Sequence, residues 1–246
     1  MSKHTLTGLV LVALFVALLE LLVATEVISR FLVARPSDIF AELLIMLREE
    51  SLPAAFGITF ASTFVATAIA AGIGFPVGYA LHRSELLGQA YGTFVAGLFS
   101  APLILLYPLF LVLFGRTVVT TVAIAALTAS IPVIISTKQA FDGVKSVFLK
   151  VGTSFSMSRP QVFLKIMLPS ALPTLFTGLR LGLIYAMICV VAVEYLVNLG
   201  GLGFLVGEMY DRFNIAGMYA AILAVVVVSV LFFDLTERAE RWLRYL

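Results

Sequence analysis

Few side chains in this sequence could carry out catalysis. It contains two histidines, His4 and His82, and a single cysteine, Cys189. An intramembrane serine protease needs a Gly-x-Ser nucleophile with a histidine inside the membrane, and a metalloprotease needs two histidines with a carboxylate. Both histidines stand at the edges of apolar runs, and one cysteine cannot form an intrachain disulfide or a thiolate cluster. The sequence therefore argues against an enzyme and against a metal site.

The composition is that of a membrane protein. The 246 residues are 61% hydrophobic and 12% charged, with a mean hydropathy of +1.10, whereas a soluble domain is about 45–50% apolar and about 25% charged. Asp, Glu, Lys and Arg are absent from residues 51–81, 86–115, 117–137 and 213–233, and each run exceeds the roughly 20 residues that a bilayer requires. A net charge of only +2, with no basic block, argues against nucleic acid binding.

The apolar runs predict six membrane crossings, with boundaries good to several residues. They fall at about 6–28, 56–81, 90–114, 117–136, 173–197 and 215–236. A cleaved signal peptide is the alternative for the first run. That run continues through Leu21, Leu22 and Val23 with no small-x-small cleavage site after it, which favours a retained helix. We therefore expect an all-α polytopic protein in which residues 1–246 form one transmembrane domain.

The distribution of Lys and Arg predicts the orientation. With a cytoplasmic N-terminus, the outer segments hold few of the sixteen basic residues, namely Arg30, Arg35, Arg48, Arg116 and Arg212. Acidic residues, Glu50 among them, dilute this positive charge. Because Lys and Arg are enriched in cytoplasmic loops, both termini are predicted to be cytoplasmic. In the C-terminal segment, Glu240 and Arg244 are spaced to pair along a helix.

Two segments on the predicted outer side are expected to form short surface helices. Residues 34–52 have an amphipathic pattern with Ser37 as a candidate N-cap. This helix would either lie along the membrane surface or receive a partner outside. The glycine-rich run 200–203 predicts a tight turn into a second short helix at 204–210.

An ionisable residue inside a crossing is costly and marks a function or a specific partner. Glu194 is such a residue, and it is expected either to gate a pathway or to hydrogen-bond to Asn198 or a neighbouring helix. Glu20 is expected to meet a polar partner away from the pathway. The residues predicted to line or gate the pathway are Pro102, Tyr107, Tyr185, Glu194 and Asn198. Pro102, Tyr107 and Pro108 also predict that the third crossing is irregular. Close helix packing, in preference to a hinge, is predicted at Gly72, Gly74, Pro76 and Gly78.

The connection 137–172, on the predicted cytoplasmic side, is longer than the others, and a loop of this length usually has a function. Its pattern predicts one helix over 138–150. A break follows at 156–160, where Ser158 can cap the next helix. That second helix is predicted to end near Pro169. Such an arrangement is typical of a docking element for a soluble partner.

The end of this loop resembles that of a known family, the permease subunits of type I ATP-binding-cassette importers, and within it the nitrate, taurine and alkanesulfonate branch. The family's loop ends in Ile-x-Leu-Pro, which Ile166, Leu168 and Pro169 match in register. The resemblance covers roughly 30–210 and is specific only in combination. The other similar stretches are 32–37, 101–115, 141–144, 171–173, 177–182, 191–194 and 201–205.

The beginning of the loop departs from the family's pattern. Lys150, Val151 and Gly152 occupy its Glu-Ala-Ala positions, and Ser156 stands in place of its glycine. Lys150 reverses the usual charge, and serine enters a left-handed turn less readily than glycine. Either the coupling contact is reorganised, or a second, less divergent permease completes a heterodimer. The resemblance assigns ATPase coupling to Lys150, Val151, Gly152, Ser156, Met157, Ser158, Arg159, Ile166, Leu168 and Pro169.

The resemblance implies a MetI-like permease fold with coupling helices between the fourth and fifth crossings. It implies a non-catalytic subunit of the bacterial inner membrane, without a cofactor of its own, that imports a small solute by alternating access. Two cytoplasmic ATPase subunits would bind ATP and Mg, a second permease copy would complete the pathway, with a homodimer favoured, and an extracytoplasmic binding protein would deliver the solute. The alternatives are a twin-arginine type translocation channel or another carrier, which would leave the Ile-x-Leu-Pro loop unexplained.

Overall fold

The computed structural model describes residues 3–49 and 51–243, and every regular element in these ranges is a helix. Four helical segments there are long and apolar enough to cross a membrane: Ser51–Arg83, Val118–Asp142, Arg159–Asp211 and Ile215–Arg238. A bent pair of helices supplies a fifth candidate, and Val10–Ala24 is a shorter apolar helix. The six predicted crossings thus fall on helices, and the first lies on Lys3–Ala24, whereas the third is bent. Glu50 and Arg244 of the predicted charge balance lie outside the described residues.

The chain divides into two compact units, and the first comprises Met1–Ile58 with Glu194–Val228. It contains α1 (Lys3–Ala24), α2 (Pro36–Arg48), the start of α3 (Ser51–Arg83), α10 (Leu202–Asp211) and the start of α11 (Ile215–Leu243). Its core joins α2, α10 and α11 through Met46, Leu205 and Ala220. The predicted surface helix and the helix after the glycine turn are therefore present, and both bury an apolar face.

The cap predicted for α2 is wrong. The helix begins at Pro36, and Arg35 holds the N-cap position without a side-chain cap. Ser37 instead donates its backbone N–H and its hydroxyl to the two carboxylate oxygens of Glu20, at 3.0 and 2.8 Å. A carboxylate from α1 therefore replaces a local cap, because it satisfies a free N–H at the start of α2 and complements the helix dipole. The sequence predicted that Glu20 meets a polar partner, and in the structure this partner is Ser37.

The second unit comprises Thr59–Val193 with Ser229–Leu246. It contains most of α3, then α4 (Glu85–Ser100), α5 (Tyr107–Phe114), α6 (Val118–Asp142), α7 (Ser146–Ser154), α8 (Arg159–Val162) and α9 (Leu168–Val197), and the end of α11. The central helix α6 packs closely against α3, since a Cβ on Gly78 would lie 2.5 Å from the Cβ of Thr137. Gly74 packs in the same way on Val133, which supports the predicted close packing at these two glycines. A Cβ on Gly72 would meet no atom of the described residues within 4 Å, so the prediction does not hold there.

The third predicted crossing, 90–114, is a bent pair of helices and not one straight helix, which agrees with the irregularity predicted at Pro102. The chain bends by 87° between α4 and the segment Leu103–Phe114. Ala101 is extended, with ψ at 134°, and Pro102 follows it. The proline ring disfavours helical geometry at the preceding residue and removes a donor, which ends α4. A 3-10 turn, Leu103–Leu106, then leads into α5.

Candidate functional site

The loop that resembles an ATPase-coupling element is helical over most of its length. Helix α6 extends to Asp142, and α7 starts anew at Ser146. The single helix predicted over 138–150 is therefore wrong, because Lys145 is extended, with ψ at 130°, and breaks the helical path. We call residues 146–169, from α7 to Pro169, the coupling segment.

Helix α7 ends in a left-handed turn at Ser156, whose φ is +51°. The N–H of Met157 donates to the carbonyl of Gly152, and that of Ser156 donates to the carbonyl of Thr153, both at 3.0 Å. These two bonds are the hydrogen bonds of a Schellman motif, which usually has glycine at the left-handed position. The turn expected from the family's glycine thus forms with serine, at a cost of about 1–2 kcal/mol.

The next helix begins as the sequence predicts. Ser158 holds the N-cap position of α8, and its N–H donates to Oε1 of Gln161 at 2.8 Å. Pro160 lies in the first turn, where a missing N–H costs nothing. The break at 156–160 is therefore defined at both ends by specific hydrogen bonds.

The second helix does not end near Pro169, contrary to the prediction. A π turn, Phe163–Met167, connects α8 directly to α9, and the N–H of Leu168 bonds to the carbonyl of Phe163. The wider π turn shifts the hydrogen-bond register just before the proline, whose missing N–H is then accommodated without a break. The family-like residues Ile166, Leu168 and Pro169 therefore stand on one helix that continues into a membrane span.

The two halves of the coupling segment pack against each other at Gly152. A Cβ there would lie 3.0 Å from side-chain atoms of both Val162 and Ile166. Val151, Ile166 and Pro169 line a shallow cavity of about 220 Å³ together with Phe148, Lys165 and Ser170. The structure thus brings together Val151, Gly152, Ile166 and Pro169 of the predicted coupling residues.

Leu168 packs against the buried cluster of Ala140, Phe141, Ala171 and Leu175. The other predicted coupling residues lie at or near the surface. Lys150, Ser156, Ser158 and Arg159 are exposed, and Met157 is half-buried. Large apolar side chains on the same segment are also exposed, Phe155 at 74% and also Val147, Phe148, Val151 and Leu164. An exposed apolar surface on a loop that is predicted to lie outside the membrane is typical of a protein interaction site.

Aromatic rings hold the C-terminal part of the coupling segment against α3 and α6. Phe163 lies 5.2 Å from Tyr79 and 5.9 Å from Phe141, between ring centroids. Beside them, Nδ1 of His82 is 2.7 Å from Asp142, which also pairs with Lys138 at 2.6 Å. Sequence reasoning missed this cluster, because only the i,i+4 spacing of Lys138 and Asp142 signals it.

Glu194, near the end of α9, makes a specific structural contact. Its carboxylate is buried, with 3% exposure for the residue, and Oε2 accepts the N–H of Gly203 in the first turn of α10 at 3.2 Å. Gly201 approaches so closely that a Cβ would overlap the carboxylate, and its φ is +96°. The sequence left either Asn198 or a neighbouring helix as the structural partner of Glu194. In the structure this partner is the neighbouring helix α10. Asn198 instead ends α9 in a left-handed conformation.

The other residues predicted for the pathway belong to the second unit. Pro102 is at the bend after α4, and Tyr107 begins α5. The ring of Tyr185 in α9 lies 5.2 Å from that of Phe99 in α4, between centroids. The structure therefore places Tyr185 in a helix contact, and it gives no geometry that joins these three residues to a single site.

Comparison with known proteins identifies the family. The family described as "Binding-protein-dependent transport system inner membrane component" matches residues 68–245. The chain is 26% identical to the nitrate import permease protein NrtB of Synechococcus elongatus over 68% of this chain and 59% of that protein. It is 29% identical to the formylaminopyrimidine transport permease protein ThiX of Halalkalibacterium halodurans over 56% of each. The chain spans somewhat more than half the length of these curated relatives.

The fold is also that of solved transporters. The inward-facing MetNI methionine ABC transporter matches with a TM-score of 0.68 at 22% identity, over 79% of this chain and 96% of that one. A crystal structure of an amino acid ABC transporter with histidines matches with a TM-score of 0.64 at 17% identity, over 81% and 97%. This all-helical, multi-span chain has the MetI-like permease fold and belongs to the family of binding-protein-dependent transport system inner membrane components.

Proposed function

We propose that this chain is the permease subunit of an ATP-driven importer that receives a small anion from an extracytoplasmic binding protein. The family membership supports the permease role and removes the translocation-channel alternative. Nitrate and bicarbonate permeases among the relatives support an anionic solute. The chain itself hydrolyses nothing in this proposal, since ATP and Mg are bound by two partner ATPase subunits. A second copy of the chain completes the pathway, in an inner membrane with both termini in the cytoplasm.

The observation that carries the coupling proposal is the helical continuity from Arg159 through the π turn into α9. The exposed apolar face of α7 and Phe155 would contact a groove on each ATPase subunit. Closure of the ATPase pair would displace the coupling segment, and a continuous helix transmits that displacement along its axis. Alternating inward and outward openings follow from the movement of α9.

The test is to co-express the chain with candidate ATPase subunits and to measure the intact mass of the purified complex. Two permease chains with two ATPase chains are expected, together with ATP-dependent uptake of nitrate or bicarbonate into proteoliposomes. Two different permease chains would replace the homodimer by a heterodimer. A chain that purifies alone, or only with itself, would contradict the importer.

A further inference from the structure

The second unit contains an apolar cavity of about 420 Å³ between α3, α6 and the helix that runs from the π turn into α9. Aromatic rings and leucines form most of its lining, and among the described residues that line it only Tyr79 and Thr137 carry hydroxyl groups. The hydroxyl of Thr137 is already used, since it donates to the carbonyl of Val133 at 2.7 Å. The volume is within the range of about 300–1,000 Å³ that is usual for ligand sites. Such a lining suits an apolar ligand and not a small anion.

The cavity is long and narrow. Four leucines of α9 stand along its wall on one helix face, namely Leu168, Leu172, Leu175 and Leu179. They extend over about 16 Å of helix. Another helix, about 10 Å across, would need roughly 1,300 Å³ over this length, which is far more than the cavity offers. Water is also a poor occupant, because a buried water molecule needs about two to four polar partners. The dimensions therefore suit a single hydrocarbon chain.

One end of the cavity points toward the predicted cytoplasmic surface, where a basic residue stands. Phe75 and Tyr79, one turn apart on α3, both line the cavity, and Arg83, the last residue of α3, follows one turn later on the same face. Arg83 is exposed, and no carboxylate of the described residues lies within salt-bridge distance of it. Its guanidinium is therefore available to an anionic group at the surface of the membrane.

The carboxylate at this end of the cavity is already paired. Asp142, the last residue of α6, lies 2.6 Å from Lys138 and 2.7 Å from His82. The ring of His82 lies 5.6 Å from that of Phe141 in the cavity wall, between centroids. Further along the chain, residues 143–193 contain Lys and Arg but no Asp or Glu. The excess positive charge on this side favours a negatively charged lipid headgroup.

The cavity is accessible from outside the protein and adjoins the coupling segment. Leu172 in its wall is 40% exposed. Phe163 of the π turn lies 5.2 Å from Tyr79 and 5.9 Å from Phe141, between centroids, and all three rings line the cavity. A chain bound there would therefore contact the rings that hold the coupling segment against α3 and α6.

We propose that this cavity binds one acyl chain of an anionic phospholipid from the inner leaflet, with the phosphate group at Arg83. The acyl chain fills the space between the helices, and the guanidinium donates hydrogen bonds to phosphate oxygens. The bound lipid stabilises the contact between the coupling segment and the spans. This inference goes beyond the proposed transport function, and its test requires no transported solute.

The experiment uses the purified full chain, with the subunits that it retains, in detergent. The probes are phosphatidylglycerol and phosphatidylcholine with identical acyl chains, and native mass spectrometry measures the Kd of each lipid. Leu172→Trp fills the opening of the cavity. Leu181→Trp is the matched control, because Leu181 is 38% exposed and lies on the opposite face of α9, outside the cavity lining. Thermal melting checks that both variants are folded.

We expect the wild type to bind one phosphatidylglycerol per chain about fivefold more tightly than phosphatidylcholine, which is the effect of one basic residue near an anionic lipid. Leu172→Trp should raise the Kd for phosphatidylglycerol by about tenfold, since the buried chain supplies most of the affinity, and Leu181→Trp should change it by less than about twofold. Arg83→Gln should abolish the preference for phosphatidylglycerol. Lys145→Gln, on an exposed lysine outside the cavity lining, should preserve it.

Three results would overturn the inference. Equal Kd values for Leu172→Trp and Leu181→Trp would show that the lipid binds elsewhere. Binding that does not saturate at one lipid per chain would indicate ordinary surface lipid. A Leu172→Trp protein that separates into single chains, with an unchanged lipid Kd, would show that a second copy covers the cavity. If Leu172→Trp does not fold, the comparison of Arg83→Gln with Lys145→Gln decides, and none of these results bears on the importer.

Discussion

The guanidinium of Arg180 in α9 lies 2.8 Å from Oε2 of Glu240 in α11, and the two side chains are only 17% and 7% exposed. Thr177 donates its hydroxyl to the other carboxylate oxygen at 2.7 Å. The guanidinium carbon also lies 4.4 Å from the ring centroid of Phe233. Glu240 thus pairs with Arg180, whereas Arg244, its predicted partner, lies outside the described residues. This ion pair connects α11 to α9, the helix that continues the coupling segment.

Replacement of Arg180 by Gln is expected to lower the free energy of unfolding by about 3–5 kcal/mol, because a buried carboxylate loses its counter-charge. The measurement is thermal or denaturant unfolding of the purified protein in nanodiscs. In the double variant with Glu240→Gln, the uncompensated charge is gone, so part of the stability should return.

Arg238→Gln is the matched control for this prediction. Arg238 also pairs with a carboxylate, Asp234 at 2.8 Å, but the two side chains are 70% and 43% exposed. An exposed pair of this kind contributes about 0–1 kcal/mol. Equal destabilisation by Arg180→Gln and Arg238→Gln would show that burial does not strengthen the Arg180 pair.

Ser156→Gly is expected to stabilise the coupling segment. Serine stands here at φ +51°, and glycine adopts this region without a Cβ clash. The expected gain is about 1 kcal/mol, measured as a higher melting temperature and slower proteolysis within the segment. Ser154→Gly, in the last turn of α7, should destabilise instead, since glycine is unfavourable inside a helix. A Ser156→Gly protein no more stable than the wild type would contradict the strained turn.

Replacement of Met157 or Arg159 by Ala is expected to uncouple ATP hydrolysis from transport. These residues flank the break between α7 and the continuous helix, where a contact with an ATPase subunit would be transmitted to α9. The measurement is the ratio of solute taken up to ATP hydrolysed in proteoliposomes. Lys145→Ala, an exposed residue just before α7, is the control and should leave this ratio unchanged. Full stimulation of ATP hydrolysis by the loaded binding protein in both variants would count against this role.

Features set by neighbouring residues could be predicted from the sequence. Ser158 and Pro160 start α8 because capping and proline preferences act within one turn. The straight spans follow from apolar length alone. Pro102 predicted irregularity in the third crossing, but the 87° bend depends on how the flanking helices pack.

Features set by distant residues could not be predicted. Ser37 caps nothing locally because Glu20, 17 positions away, reaches the start of α2. The pair of Arg180 with Glu240 joins residues 60 positions apart. The continuation of the helix through Pro169 depends on a π turn, which no residue preference encodes. In each case, tertiary packing overrides the local preference.

Gly201→Ala is expected to destabilise the protein, because a Cβ there would overlap the carboxylate of Glu194 and the φ of +96° disfavours alanine. Overpacking of this kind costs about 1–3 kcal/mol, and unfolding in nanodiscs measures it. Gly207→Ala is the matched control on α10, since its Cβ would meet Tyr195 at 3.5 Å, an ordinary contact. Equal stability of the two variants would contradict the tight packing at Gly201.

Two variants of Glu194 separate its structural role from a gating role. Glu194→Gln keeps an oxygen that can accept the N–H of Gly203, whereas Glu194→Ala leaves that buried donor without its carboxylate partner. The loss of a buried acceptor costs about 1–3 kcal/mol, so the alanine variant should unfold more readily than the glutamine variant. If the carboxylate acts only through this bond, Glu194→Gln retains uptake close to that of the wild type. A glutamine variant that melts like the wild type but transports far more slowly would instead assign the charge a role in the transport cycle.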